Sequence, residues 1–159
     1  MRRLACFVHT LTVALSLCLA LTCLCCTGYT QGERVALHAL RHLDIPYVLG
    51  QAGPLAYDCS GLIKHCFARE GVALPHSAQE IGTAGDWPYI SEIARLLPGD
   101  IVCFDTVKDA DPSDHVGIWL GGNRFVHASS AKGAVVISEM EGYYLEKFTG
   151  ARRIARVYF

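Results

Sequence analysis

The chain has no long basic run and no interleaving of aromatic with basic residues, which excludes nucleic acid as a partner. It has no internal repeat and no low-complexity linker that would mark a second domain. At 159 residues it has room for one domain around one core. Charge is also absent from residues 4–26, directly after Arg2-Arg3, and every acidic residue lies beyond that stretch. Removing the two arginines leaves the body with a net charge of −3, from 12 bases and 15 acids.

A short basic start followed by an apolar run and small residues is the pattern of a secretory signal, so residues 1–28 are read as a leader and 29–159 as the folded domain. The run approaches the length needed to span a bilayer, which keeps an uncleaved anchor open. Five of the eight cysteines fall in it: Cys6, Cys18, Cys23, Cys25 and Cys26. Their crowding resembles a bacterial lipoprotein signal, with Ala20-Leu21-Thr22-Cys23 and Cys23-Leu24-Cys25-Cys26 as loose matches. The alternative is that they are small hydrophobes in an apolar segment. The body is thus expected to be exported and to meet a membrane only through the leader or a lipid anchor.

Three cysteines remain in the body: Cys59, Cys66 and Cys103. Cys59 and Cys66 are two helical turns apart, about 10 Å at ~1.5 Å per residue, too far for a disulfide. A Cys66–Cys103 pair is geometrically open, and two buried thiols are the favoured reading.

Apolar spacing at Val35, Leu37, Ala39, Leu40 and Leu43 predicts a helix over 32–43, ended by Pro46. A loop over 47–57 leads to a second helix with Asp58 as N-cap and Gly71 as the C′ residue; Cys59, Leu62, Ile63, Cys66 and Phe67 share one face. Residues 75–81 read as a loop and a short helical turn closed by Gly82. Pro98-Gly99-Asp100 then launches a strand at 101–104, and further strands are expected at 115–120, 124–128, 134–138 and 153–158. Helices first and strands afterwards argue for an α+β domain, an antiparallel sheet of about five strands packed on the Cys59 helix.

Cys59 in the first turn of a helix is where exposed amides and the macrodipole favour a thiolate. Its own or a neighbouring amide could also contribute to an oxyanion hole. His115 and His127, on adjacent strands, can supply a general base and the group that orients it. Alternation puts His115, Gly117 and Trp119 on one face, with Gly117 leaving space beside His115 for a substrate groove. His127 shares that face only if the turn holds an odd number of residues, as in a three-residue loop centred on Gly121 or Gly122.

Other histidines receive plainer readings. His38 and His42 form an i, i+4 pair on a solvated or half-buried face with no third metal ligand at recognisable spacing, and His65 is an exposed helix position. His76 follows Pro75 in a loop that could border the groove. A zinc site of Cys59, His115 and His127 has suitable ligand types but not the close ligand pairs usual in such sites, so no metal or cofactor is expected.

Taken in order, Ile45-Pro46-Tyr47-Val48-Leu49-Gly50, Asp58-Cys59-Ser60-Gly61-Leu62, Leu74-Pro75, Leu97-Pro98-Gly99-Asp100-Ile101, His115-Val116-Gly117-Ile118 and Phe125-Val126-His127-Ala128 resemble the NlpC-type cell-wall peptidases. These are papain-like cysteine enzymes of bacteria, and the likeness runs from about Arg34 to Ala155, with Gly150-Ala151-Arg152-Arg153 similar to the family's closing strand. The resemblance implies a papain-like fold and hydrolysis of amide bonds in peptidoglycan stem peptides, often between D-γ-glutamate and a diamino acid. It implies Cys59 as nucleophile, His115 as base and His127 as the orienting residue. It further implies that Tyr47 serves the oxyanion site or substrate, and that Asp58 and Ser60 contact the substrate's free amine. Capping and filling the first helical turn are the plainer roles of the last two. The chain departs from the family at His76, where an arginine is usual. Endopeptidase action by a monomer in the periplasm or cell envelope is expected. A papain-like amidase or acyltransferase on another amide or lipid substrate, and a non-catalytic surface lipoprotein, are the alternatives.

Overall fold

The computed structural model describes residues 28–107 and 113–154; the expected leader, with its five cysteines and His9, lies outside them. The first helix, α1 (Gln31–Ala39), continues into a 3-10 turn, Leu40–His42. It starts at residue 31 because Thr30 and Glu33 form a capping box: Thr30 Oγ1 accepts from the Glu33 amide at 3.2 Å, and Glu33 Oε2 accepts from the Thr30 amide at 2.7 Å. That Thr-Gln-Gly-Glu signature is local and readable, although apolar spacing alone puts the start at 32.

The central helix, α2 (Cys59–Ala68), begins where Asp58 caps it, Oδ1 accepting from the Gly61 amide at 2.7 Å. Beyond the cap residue Arg69, Gly71 at φ +76° donates to Ala68 O, and Val72 donates to Phe67 O. Gly71 therefore sits one position further out than the C′ place expected of it. A short helix, α3 (Ala78–Thr83), is capped by Ser77.

Strands β1 (Tyr89–Ile90), β2 (Ile101–Phe104), β3 (His115–Gly121), β4 (Arg124–Ser129) and β5 (Ala134–Glu139) follow, then α4 (Gly142–Lys147) and β6 (Phe148–Arg152). They form one six-stranded sheet in the order β1-β6-β2-β3-β4-β5, with every pairing antiparallel. The α+β expectation holds, with one strand more than foreseen because β1 is only a two-residue strand. The closing strand is the main correction. It runs over Phe148–Arg152, and Arg153 and Ile154 of the expected 153–158 lie beyond it, while residues 155–158 are outside the described range. Gly150, which the resemblance puts in the closing strand, sits inside the strand at φ +136°, beside a register irregularity opposite Cys103 and Phe104. A side chain there would start 2.3 Å from the Tyr89 ring, so Gly150 is a bulge that lets Tyr89 pack.

Each face of the sheet has its own core. On one, α1 and α2 bury Val35, Ala39, Leu62, Ile63 and Cys66 against Ile101, Val116, Ile118, Val126, Ala128 and Val135. Each fully buried aliphatic side chain there contributes roughly 1.5–3 kcal/mol. On the other, Val102, Phe104, Trp119, Phe125, Met140 and Ala151 pack with Tyr144 and Phe148. The Pro98-Gly99-Asp100 turn is locked from the far end of the chain: Arg153 donates to Asp100 Oδ1 and Oδ2 at 2.8 and 2.6 Å, and the Leu97 amide donates to Oδ2 at 2.8 Å. No helix among the described residues is long and apolar enough to cross a membrane.

Candidate active site

Cys59 is the first residue of α2, half-buried, beside the partly buried Tyr47. The glycine two residues on has a steric reason. A Cβ on Gly61 would lie 2.1 Å from Gln51 O, so only glycine lets the 47–57 loop lie against the helix start. The same loop donates the Gly50 amide to Asp58 Oδ2 at 2.7 Å.

Asp58 is buried, and its carboxylate is fully engaged within the protein. Oδ1 accepts from the Gly61 amide, from Ser60 Oγ at 3.1 Å and from His76 Nε2 at 2.9 Å; Oδ2 accepts from Gly50 and lies 3.0 Å from His76 Nε2. Burial pushes its pKa up, but the Gly61, His76 and Gly50 donors outweigh it and hold the carboxyl below its ordinary range. His76 thus joins the 75–77 loop to the helix start, a contact that loop position alone does not reveal. Ser60, buried, spends its hydroxyl on the same carboxylate.

His115 and His127 lie on one face of the sheet. The parity comes from a different device than a three-residue loop. Gly122 and Asn123 make a two-residue turn with φ +57° and +63°, and the β3–β4 register slips by one residue between Trp119 and Gly121. The bulge at Leu120 supplies the odd residue. His115 Nε2 then lies 2.7 Å from His127 Nδ1, with the rings near perpendicular at 85°. His127, 1 % exposed, lies 2.9 Å from Ser138 Oγ through its Nε2, and Tyr144 OH is 3.4 Å from the same nitrogen. Ser138 and Tyr144 were not legible as site residues. Only the pairing of β4 with β5 and the docking of α4 bring them to His127.

Gly117 differs from expectation. A Cβ there would meet Phe125 Cδ2 at 2.7 Å and His127 Cβ at 3.3 Å, so its missing side chain makes room for those two residues and not for a groove. The histidine face is also the one turned away from α1 and α2, since His115 pairs with Phe104 of the second core. Cys59 approaches β3 through the backbone: the Val116 amide hydrogen-bonds toward its sulfur.

The electrostatics run against the local expectation for a helix start. Burial dominates and pushes the Cys59 thiol up to about 11; hydrogen bonding from the Val116 amide opposes this, Asp58 reinforces it, and the Ser60 and Cys59 amides oppose it weakly. Burial likewise lowers His115 to about 4 and His127 to about 3, Asp114 opposing the first shift and His115 reinforcing the second. The resting pair is therefore a neutral thiol and a neutral imidazole. Burial first, then the neighbouring Cys59 and Asp58, raises the Tyr47 phenol.

Cys66 and Cys103 are buried free thiols, held up by burial at about 12 and about 11. His65 is half-buried, not exposed; its ring packs on His42 and Tyr57 at 4.9 and 5.3 Å. The His38 and His42 pair, without a third ligand at sequence spacing, is joined in the fold by Cys66.

The model of the NlpC/P60 family matches residues 44–153. A gamma-DL-glutamyl hydrolase of Bacillus subtilis is 33% identical over 123 residues, 75% of this chain and 28% of that protein. A murein DD-endopeptidase/murein LD-carboxypeptidase of Escherichia coli is 34% identical over 113 residues, 69% of this chain and 56% of that protein. Among solved structures, NlpC1 of Trichomonas vaginalis superposes with a TM-score of 0.71 at 30% identity, over 80% of this chain and 45% of that one. The chain thus spans only part of the length of these relatives. A family model aligned over both histidine strands and the Cys59 helix, with relatives a third identical, decides the affiliation: the chain belongs to the NlpC/P60 family.

Proposed function

We propose that the chain is a cysteine endopeptidase that hydrolyses amide bonds in peptidoglycan stem peptides, at the D-γ-glutamyl–diamino acid bond. Cys59 serves as nucleophile, His115 as base and acid, and His127 as the orienting group. The observations that carry this reading are the line His115–His127–Ser138, at 2.7 and 2.9 Å, and a half-buried thiol in the first turn of the helix that packs on the His115 strand. With His115 Nε2–H donating to His127 Nδ1 and His127 Nε2–H donating to Ser138 Oγ, one tautomer set leaves His115 Nδ1 as a lone pair free to take a proton.

The reaction runs from the neutral pair. As the Cys59 sulfur attacks the carbonyl carbon, its proton passes to His115 Nδ1; the same proton then goes to the leaving amine, and a thioester forms. Water gives a proton to His115 and attacks the thioester, and His115 returns the proton to sulfur as the acid departs. The Cys59 amide, at the helix start, and Tyr47 are the candidate donors for the oxyanion. Asp58 and Ser60, tied to each other and to His76, offer a substrate amine a carboxylate already shared within the protein.

Relatives named for γ-DL-glutamyl and for DD bonds support the substrate class and leave two bonds to distinguish. The expected leader and this substrate class support a location in the cell envelope. Defined muropeptides digested with wild type and with Cys59→Ala, the products identified by mass spectrometry, test the proposal. Cleavage between D-γ-glutamate and the diamino acid by wild type alone is expected; equal digestion by both proteins refutes it.

A further inference from the structure

We propose that His38, His42 and Cys66 bind one divalent transition-metal ion of the zinc class, bracing α1 against α2 behind the helix that carries Cys59. His38 and His42 stand one turn apart, at the end of α1 and in the 3-10 turn after it, and Cys66 comes from the facing side of α2. One ligand atom from each residue lies within 4.8 Å of the other two. Tetrahedral zinc, with Zn–N near 2.0–2.1 Å and Zn–S near 2.3 Å, sets ligand atoms roughly 3.3–3.8 Å apart, so a contraction of about 1 Å by side-chain rotation closes the site.

A second observation points to a ligand at the same place. His38 Nδ1 and His42 Nε2 are both buried from solvent and have no hydrogen-bond partner, which native interiors rarely tolerate. The other nitrogen of His42 is held by Tyr57 OH at 3.1 Å, an outer-shell contact that fixes the ring and leaves Nε2 facing the cluster. His65 packs against both rings, 4.9 Å from His42 and 5.7 Å from His38, and walls the site on one side. Two imidazoles and one thiol are the ligands of a borderline-soft ion; a hard oxygen-seeking cation would find no carboxylate among the three. On binding, the Cys66 S–H bond breaks, its proton leaves to solvent and a sulfur–metal bond forms, with no change of oxidation state. The exposed Arg41 and Arg69 act on His38 through their charge, which the thiolate formed at Cys66 offsets.

The test uses the full chain in a Cys59→Ser background, so that the candidate nucleophile cannot contribute. Zinc is counted by elemental analysis, Co2+ serves as the optical probe, and thermal melting is followed with and without Zn2+. One zinc per chain, a thiolate-to-cobalt charge-transfer band and a zinc-dependent rise in melting temperature are expected. Cys66→Ser should abolish the band, and Tyr57→Phe should weaken binding by roughly 10–100-fold. Should Cys66→Ser fail to fold, His38→Asn at the half-buried helix surface decides, since it too should abolish stoichiometric binding. Metal content unaffected by these substitutions places the ion on the leader cysteines and overturns the proposal, as does a chain that takes up no zinc.

Discussion

The resting protonation of Cys59 can be read directly by alkylation. With the thiol at about 11, the thiolate fraction at pH 7 is ~10⁻⁴, against ~3 % for an unperturbed cysteine near 8.5. Cys59 should therefore react with iodoacetamide ~300-fold more slowly than free cysteine at pH 7, and its rate should climb about tenfold per pH unit up to pH 10. Peptide mapping by mass spectrometry isolates Cys59 from the other thiols. Two substitutions sharpen the result. His115→Gln should leave the profile unchanged, because a neutral imidazole does not stabilise the thiolate. Asp58→Asn keeps a capping oxygen but removes the neighbouring negative charge, and should move the rise to lower pH. A rate that is already level between pH 5 and 8, and that falls in His115→Gln, would establish a thiolate–imidazolium pair and refute the burial argument.

Three further outcomes are expected. Ser138→Ala removes the anchor of His127 and should lower kcat about fivefold with KM unchanged, the effect of a neutral hydrogen bond worth ~1 kcal/mol; an unaltered kcat would show that His127 needs no such anchor. Arg153→Met leaves the buried Asp100 carboxylate with only the Leu97 amide in place of a half-exposed cation and should cost about 1–3 kcal/mol in urea unfolding. Finally, His115 and His127 have folded pKa values, about 4 and about 3, below the unfolded value near 6.5. The unfolded chain therefore binds protons first, and stability fully present above pH 6.5 should fall as pH drops toward 4. The loss of urea midpoint between pH 7 and pH 5 should be smaller in His127→Gln, and equal losses would contradict the sign.

What was legible in the sequence was what short-range physics writes there. Asp58 before an apolar 3.6-residue period locates the start of α2, and alternation bounded by glycine turns locates β2 to β5 to within a residue or two. Tertiary context carried the rest. Gly150 is a bulge in the closing strand, and only the Tyr89 ring across from it shows why that position has no side chain. The helix dipole at Cys59 is local and readable, whereas the burial that outweighs it depends on elements packed around the helix start. Cys66 stands 24 and 28 residues from His42 and His38, so no spacing rule links them before α1 and α2 are docked. Ser138, Tyr144 and His76 reach the site in the same way.

The Gly122-Asn123 turn and its neighbouring bulge have a consequence for how a gene for this protein can drift. Single-codon insertions and deletions in exposed hairpin tips are ordinarily among the changes a lineage tolerates best. Here one codon more or less, absorbed by removing the Leu120 irregularity, leaves Ile118 opposite Val126 and keeps His127 on the face of His115. Flattening that irregularity with no change of length would instead slip β4 by one residue, turning His127 toward the helices and Val126 toward the face of His115. What is filtered at this tip is therefore register and not length, so viable descendants should exchange the bulge for a one-residue change in the turn and should not lose the bulge alone.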